Sequence, residues 1–162
     1  MINVCIADNF PVVHFGMKAY FKDHSEISIV SNVGNFFMIP DALRNKEIDI
    51  LIMDLELDGL NSIYEVKSII KNFPKTKVII FSSLSEQIYA PNAIKAGCAG
   101  YVHKTSKLEN LGITIVKVNN GQIILNDEIK KNLALIAKQN KSERLYRKLS
   151  NREIEVLRFL SD

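Results

Sequence analysis

Five short apolar runs punctuate the chain through about residue 102, and the segments between them repeat their apolar residues at helical spacing. Ile2 to Ala7, Ile27 to Val33, Ile48 to Met53, Val78 to Ser82 and Gly100 to Val102 read as strands. Val12 to Phe21, Phe36 to Leu43, Ser62 to Asn72, Ala93 to Ala96 and Leu108 to Val118 read as helices. Strands that alternate strictly with helices, and are apolar on both faces, predict a parallel sheet covered on both sides by right-handed crossovers. The fold class is therefore α/β, a doubly wound sheet.

Punctuation residues refine the boundaries. Pro11 suits the first turn of helix 1, Pro74 stops helix 3, and Gly97 stands where a helix should end before the fifth strand. Pro91 falls inside the fourth helical segment. That helix is expected to begin near Pro91, with Ser85 to Ala90 as irregular loop.

Beyond Gly121, Ile123-Ile124-Leu125 is a short apolar piece, and Asn126 or Asp127 can cap a helix reaching about Gln139. Gln139 to Arg144 is polar and is the best linker candidate. Ser150 and Glu153 then form a capping box, and Ile154, Leu157 and Leu160 recur at helical spacing. This last helix is too short to make a domain alone. The expected organisation is a domain over 1–120, a helical extension and linker over 121–147, and an isolated amphipathic helix over 148–162.

With 162 residues, 47% of them hydrophobic and 24% charged, the chain is long enough for one well-buried domain and a small appendage. No apolar run approaches the roughly 18 residues of a membrane helix, and the amino terminus lacks the features of a signal peptide. A cytoplasmic location without membrane contact is expected. Cys5 and Cys98 lack metal-ligand spacing and read as reduced core thiols. The formal charge of +3 is uneven: residues 1–129 carry 12 Lys and Arg against 14 Asp and Glu, whereas residues 130–162 carry 9 against 4. A basic tail can follow nucleic-acid phosphates, but charge alone more often marks a solvated face.

The candidate chemistry lies where an open parallel sheet binds its ligands, outside the carboxyl ends of the strands. Asp8-Asn9 follows strand one, Asp54 ends strand three, Ser82-Ser83 follows strand four and Lys104 follows strand five. Singly, each has an ordinary explanation as a cap, turn former or solvated lysine; four at corresponding places fit one task. Asp8 and Asp54 would repel unless a cation offset them, and hard oxygen ligands suit magnesium. Asp54 would be the nucleophile of an in-line phosphoryl transfer. Lys104 and the metal would neutralise phosphoryl oxygens, and the Ser82 hydroxyl would donate to another.

At Ala7-Asp8-Asn9-Phe10-Pro11, Met53-Asp54-Leu55-Glu56-Leu57-Asp58-Gly59, Val78-Ile79-Ile80-Phe81-Ser82-Ser83 and Lys95-Ala96-Gly97-Cys98-Ala99-Gly100-Tyr101-Val102-His103-Lys104, the chain resembles the receiver domain of two-component response regulators. The resemblance covers about residues 1–118. It implies a flavodoxin-like fold with strand order 2-1-3-4-5, Asp54 as phosphoacceptor, Asp8 as acidic-pocket residue, Ser82 as switch hydroxyl, Lys104 as the family's lysine and Tyr101 as aromatic switch. It also implies a sensor histidine kinase as partner, a homodimer, and self-catalysed phosphorylation and dephosphorylation rather than turnover of an outside substrate. Lys148 to Ser161 resembles the opening helix of the LuxR-type helix-turn-helix module of NarL/FixJ regulators, which implies an output in transcription regulation. Turn and recognition helix are absent from the sequence, so DNA binding is expected of a longer protein and not of this chain. The terminus reads as an imposed truncation, because exposed Leu157 and Leu160 would make a poor natural end.

Asn9 departs from the family pattern, which has a second acid there. Its amide oxygen can ligate magnesium but adds no charge, so weak binding is expected. Glu56 stands where the family offers a backbone carbonyl to the metal, and its side chain either restores part of that charge or faces solvent. Asp58 replaces a frequent proline, and Thr105 is a further departure. Three other readings fit parts of the sequence. A haloacid dehalogenase-type phosphatase would use Glu56 as its second acid but would want a cap insertion. A flavodoxin-like electron carrier would need a phosphate loop in place of Asn9-Phe10-Pro11. An atypical receiver with a decayed metal site would act as a phosphorylation-independent dimerisation module.

Overall fold

The structure, a computed structural model, describes residues 1–59, 63–126 and 129–131. Its elements alternate: β1 (Ile2–Ala7), α1 (Pro11–Phe21), β2 (Ile27–Val33), a 3-10 turn (Phe36–Met38) running into α2 (Ile39–Asn45), and β3 (Ile50–Met53). A second 3-10 turn (Leu57–Gly59), α3 (Ile63–Asn72), β4 (Lys77–Ser82), α4 (Glu86–Ala96), β5 (Gly100–His103) and α5 (Leu108–Asn119) follow. The five strands are parallel in the order β2-β1-β3-β4-β5. This is the doubly wound sheet and the 2-1-3-4-5 order expected, with the order reversing between β1 and β3.

Every residue of β3 is at most 1% exposed, as a strand covered on both faces requires. One face carries Val4, Ile6, Ile52 and Ile79 against Met17 and Phe21 of α1 and Leu111 and Ile115 of α5. Each such side chain contributes about 1.5–3 kcal/mol on burial. Because both faces are apolar, burial alone does not penalise a one-residue slip by turning apolar side chains to water. The polar residues just past the strands penalise it instead, since a slip would draw Asp8 or Asp54 into the sheet without partners.

Several boundaries differ from the sequence reading. Strand β3 begins at Ile50 rather than Ile48, where the Ile48 carbonyl accepts from the Thr76 hydroxyl (2.9 Å). Asn35 caps the 3-10 turn by accepting from Met38 N–H, so the second helical segment is split in two. The expectation for helix 4 is corrected outright: α4 starts at Glu86, and Pro91 lies within it. The Ser85 carbonyl accepts from Ile88 N–H (3.2 Å) and Tyr89 N–H (3.0 Å), which establishes the first turn well before the proline. Ala90 and Ala93 are fully buried and anchor the helix. The bond that Pro91 forfeits is to the carbonyl of Gln87, an exposed residue that water can reach. Gly97 ends α4 at φ 108°, with its N–H on Ile94 O (2.9 Å) and Cys98 N–H on Ala93 O (3.0 Å).

After α5 the chain returns to the sheet edge, where Ile124 N–H donates to Ala99 O (2.8 Å) and Ile124 bridges Gly100. This partly covers the open edge of β5. Met1–Leu125 form one compact unit. Of the extension, residues 129–131 are helical and Lys130 N–H donates to Asn126 O (3.1 Å). The rest of the expected extension helix, the linker and the helix after Ser150 lie outside the described residues, as does Ser62. Cys5 and Cys98 are buried and unpaired, and burial pushes their thiols up to about 11 and about 12, which keeps them unreactive near neutrality. Among the described residues no helix is long and apolar enough to cross a membrane.

Candidate functional site

Register assembles the site. Ala7 pairs with Met53, so the next residue of each strand, Asp8 and Asp54, leaves the sheet beside the other. Asp54 N–H donates to Ala7 O (2.9 Å) and Asp8 N–H to Val33 O (3.1 Å), which holds both backbones to the sheet at its switch point. Ser82 pairs with His103, and Lys104 N–H then donates to Ser82 O (2.9 Å), which delivers the lysine to the same rim.

Both carboxylates are only 2% exposed. The Lys104 ammonium reaches Asp8 Oδ2 and Asp54 Oδ2, each at 2.7 Å. The remaining oxygens are also held: Asp8 Oδ1 accepts from Phe10 N–H (2.8 Å) and Asp54 Oδ1 from Glu56 N–H (3.2 Å). Two buried like charges are tolerable only with such partners. Burial disfavours the Lys104 ammonium, but the hydrogen bonds and charges of Asp54 and Asp8 outweigh it and hold its proton above the usual lysine range. The three groups together carry a formal charge of −1, so the pocket retains an appetite for positive charge.

Ser82 is fully buried, and its Oγ accepts from Leu84 N–H (3.3 Å). The Leu84 carbonyl in turn accepts from the Tyr101 hydroxyl (2.9 Å), with Tyr101 itself 3% exposed. One residue of the β4–α4 loop is thus tied at its N–H to one candidate switch residue and at its carbonyl to the other. His103 adds a third tie: Nε2–H donates to Ser83 O (3.0 Å), while Nδ1 accepts from Thr105 N–H (3.2 Å).

Asn9 and Glu56 are exposed at the rim, while the Glu56 backbone is fixed through its N–H on Asp54. Among the described residues no three His, Cys, Asp or Glu side chains gather as a metal cluster, and position 9 offers an amide. The donors present still suit a hard divalent cation. Asp8 and Asp54 converge closely enough for one ammonium to bridge them, and that ammonium marks where positive charge is stabilised.

Three contributors were given no role by the sequence reading. Asp58 stands at φ 62° and its Oδ2 accepts from Phe36 N–H (2.7 Å), clipping the β3–α3 loop to the loop after β2. His14 Nε2 is hydrogen-bonded to the Asp8 carbonyl and its Nδ1 to Asn32 Nδ2 (2.8 Å), joining α1 to the ends of β1 and β2. His103 is the third. Only Asp58 left a trace in the sequence, as an acidic residue where proline is frequent; the two histidines join segments distant along the chain.

Residues 4–116 match the family model of the response regulator receiver domain. The Fimbriae Z protein of Escherichia coli strain K12 is 30% identical over 162 residues, which span 98% of this chain and 75% of that protein. The response regulator protein VraR of Staphylococcus aureus is 24% identical over 159 residues, 96% of this chain and 74% of VraR. Among solved structures, the RcsB response regulator of Salmonella typhimurium superposes with a TM-score of 0.74 at 21% identity, over 99% of this chain and 77% of that one. A LuxR-family two-component response regulator from Aurantimonas gives 0.73 at 23% identity, over 83% and 96%. At these identities the superpositions speak for the fold.

Proposed function

This chain belongs to the response regulator receiver family, and on that premise we propose that it accepts a phosphoryl group on Asp54 from a phosphohistidine of a sensor kinase and relays the change through the β4–α4 loop. The observation that carries the reading is the single ammonium shared at 2.7 Å by two buried carboxylates on adjacent strand ends.

In the reaction an ionised Asp54 oxygen attacks phosphorus in line. The new P–O bond forms as the bond to the donor, P–N for phosphohistidine or P–O for acetyl phosphate, breaks and its electron pair leaves with the donor. No base is needed, since a carboxylate is already ionised at neutral pH. The Glu56 N–H orients Asp54 through Oδ1, and Lys104 neutralises charge on the incoming phosphoryl oxygens. A magnesium ion would be held by Asp8, Asp54, the Asn9 amide oxygen and the Glu56 carbonyl, and would supply Lewis-acid charge neutralisation. With one carboxylate fewer in the set, that affinity is low.

Ser82 supplies the readout. When its hydroxyl turns to donate to a phosphoryl oxygen, Leu84 N–H loses its acceptor, and Leu84 is the residue whose carbonyl holds Tyr101. The phosphoryl group thereby loosens the start of α4 and the β5 aromatic together. The reading includes a homodimer and a transcriptional output delivered through a DNA-binding domain, in keeping with the LuxR-family name of a structural neighbour.

The test is incubation with acetyl phosphate or a phosphoramidate, with and without magnesium, followed by intact mass measurement. One phosphoryl increment is expected in the wild type and none in Asp54→Asn. No adduct at all would leave a phosphorylation-independent module, and an adduct surviving Asp54→Asn would remove Asp54 from its role.

A further inference from the structure

Phe10 occupies an unusual place beside the pocket. Its backbone precedes Pro11, which restricts it to extended conformation, and it stands at φ −91°, ψ 112° as the residue before α1. Its N–H is committed to Asp8 Oδ1 (2.8 Å), so its backbone cannot shift without releasing that carboxylate. The ring is 53% exposed although large and apolar, and its centroid lies 5.2 Å from Lys104 Nζ. An aromatic face within about 6 Å of a cation attracts it through the ring quadrupole.

We propose that Phe10 is a positioning residue for phosphoryl transfer, whose ring holds the Lys104 ammonium over Asp54 when Asp8 is drawn to another cation. This rests on the reading of Asp54 as phosphoacceptor. Among the described residues Lys104 has three partners: two carboxylates, and the ring of Phe10. Both carboxylates have competing duties, Asp8 toward a metal and Asp54 toward phosphorus. The ring has none. With an amide at position 9, the acid pair itself offers no further carboxylate to catch the ammonium once Asp8 lets go. One residue therefore organises both halves of the site, its N–H fixing Asp8 and its ring fixing Lys104.

The test compares Phe10→Leu, which keeps apolar bulk but loses the quadrupole, with Phe10→Tyr, which keeps the face. Leucine should slow phosphorylation by acetyl phosphate in the presence of magnesium about three- to fivefold, the rate equivalent of ~0.7–1 kcal/mol for an exposed cation–π contact. Tyrosine should stay within about twofold of wild type on the same scale. In the unphosphorylated protein the Lys104 ε-methylene NMR signals should be shifted upfield by the ring current in wild type and Phe10→Tyr, and not in Phe10→Leu. Equal rates for Leu and Tyr, or Lys104 signals indifferent to the Leu substitution, would overturn the proposal. If wild type takes no phosphoryl group, the phosphoacceptor reading fails, and the NMR comparison still decides whether the ring holds the ammonium.

Discussion

Asp58 should be a stabilising residue in a conformation that most side chains resist. Its φ of 62° and ψ of 20° lie in the left-handed region, and its carboxylate accepts from Phe36 N–H at 2.7 Å. Asp58→Ala removes the acceptor and leaves a residue poorly suited to that backbone. Hydrogen bonds to charged groups are worth about 1.5–3 kcal/mol, and left-handed backbone costs an ordinary residue about 1–2 kcal/mol. Phe36 is half-buried, so water recovers part of the first quantity, and a net loss of ~2 kcal/mol follows. Asp58→Gly relieves the backbone and loses only the bond, at about 1 kcal/mol. Asp58→Asn keeps both an acceptor and a tolerance for the left-handed region and should cost under about 1 kcal/mol. Proline, frequent at this position in the family, cannot reach positive φ and should be the worst, at about 3 kcal/mol or more. Urea denaturation midpoints at constant slope measure the series. Proline matching the wild type, or alanine matching asparagine, would refute the clip.

Two further outcomes follow from the same geometry. Burial pushes Tyr101 up to about 12, with the Ser82 hydroxyl offsetting part of this and the Glu86 and Asp54 charges adding to it. Unfolded tyrosine ionises near about pH 10, so the stability this residue contributes is complete below that pH and is lost as pH rises through 12. The tyrosinate absorbance lost in Tyr101→Phe should therefore titrate near 12, and a midpoint near about 10 would contradict the buried hydroxyl. Pro91→Ala should stabilise the unit by about 1–3 kcal/mol by restoring a bond to Gln87 and removing the ring from the helix interior. A lowered melting temperature would mean that the proline suits α4 as it stands.

The fold was legible because β3 is a continuous apolar run, β1 is apolar but for Asn3 and β4 apolar between Lys77 and Ser82, and the intervening helices carry their own period. Asp8, Asp54, Ser82 and Lys104 were legible because a parallel sheet places strand ends at one rim, so positions far apart in sequence share one locus. Pro91 misled the reading: local propensity opposes a helix there, but the buried Ala90 and Ala93 and an exposed Gln87 carbonyl let packing win. Asp58, His14 and His103 were hidden for a different reason. Each acts by hydrogen-bonding backbone of a neighbouring loop or strand end, and such partners carry no side-chain signature. Phe10 carries no sequence signal of its contact, because the Lys104 ammonium its ring faces lies 94 positions away in the chain.

The central claim is that Asp54 itself forms the acyl phosphate. Its most direct test is borohydride reduction of protein treated with acetyl phosphate and magnesium, which converts an aspartyl phosphate to homoserine, followed by peptide sequencing in the mass spectrometer. Homoserine at position 54 and aspartate retained at positions 8 and 58 is the predicted result. Aspartate retained at 54 in protein that carries the phosphoryl mass, or homoserine at 8 or 58 instead, would contradict it.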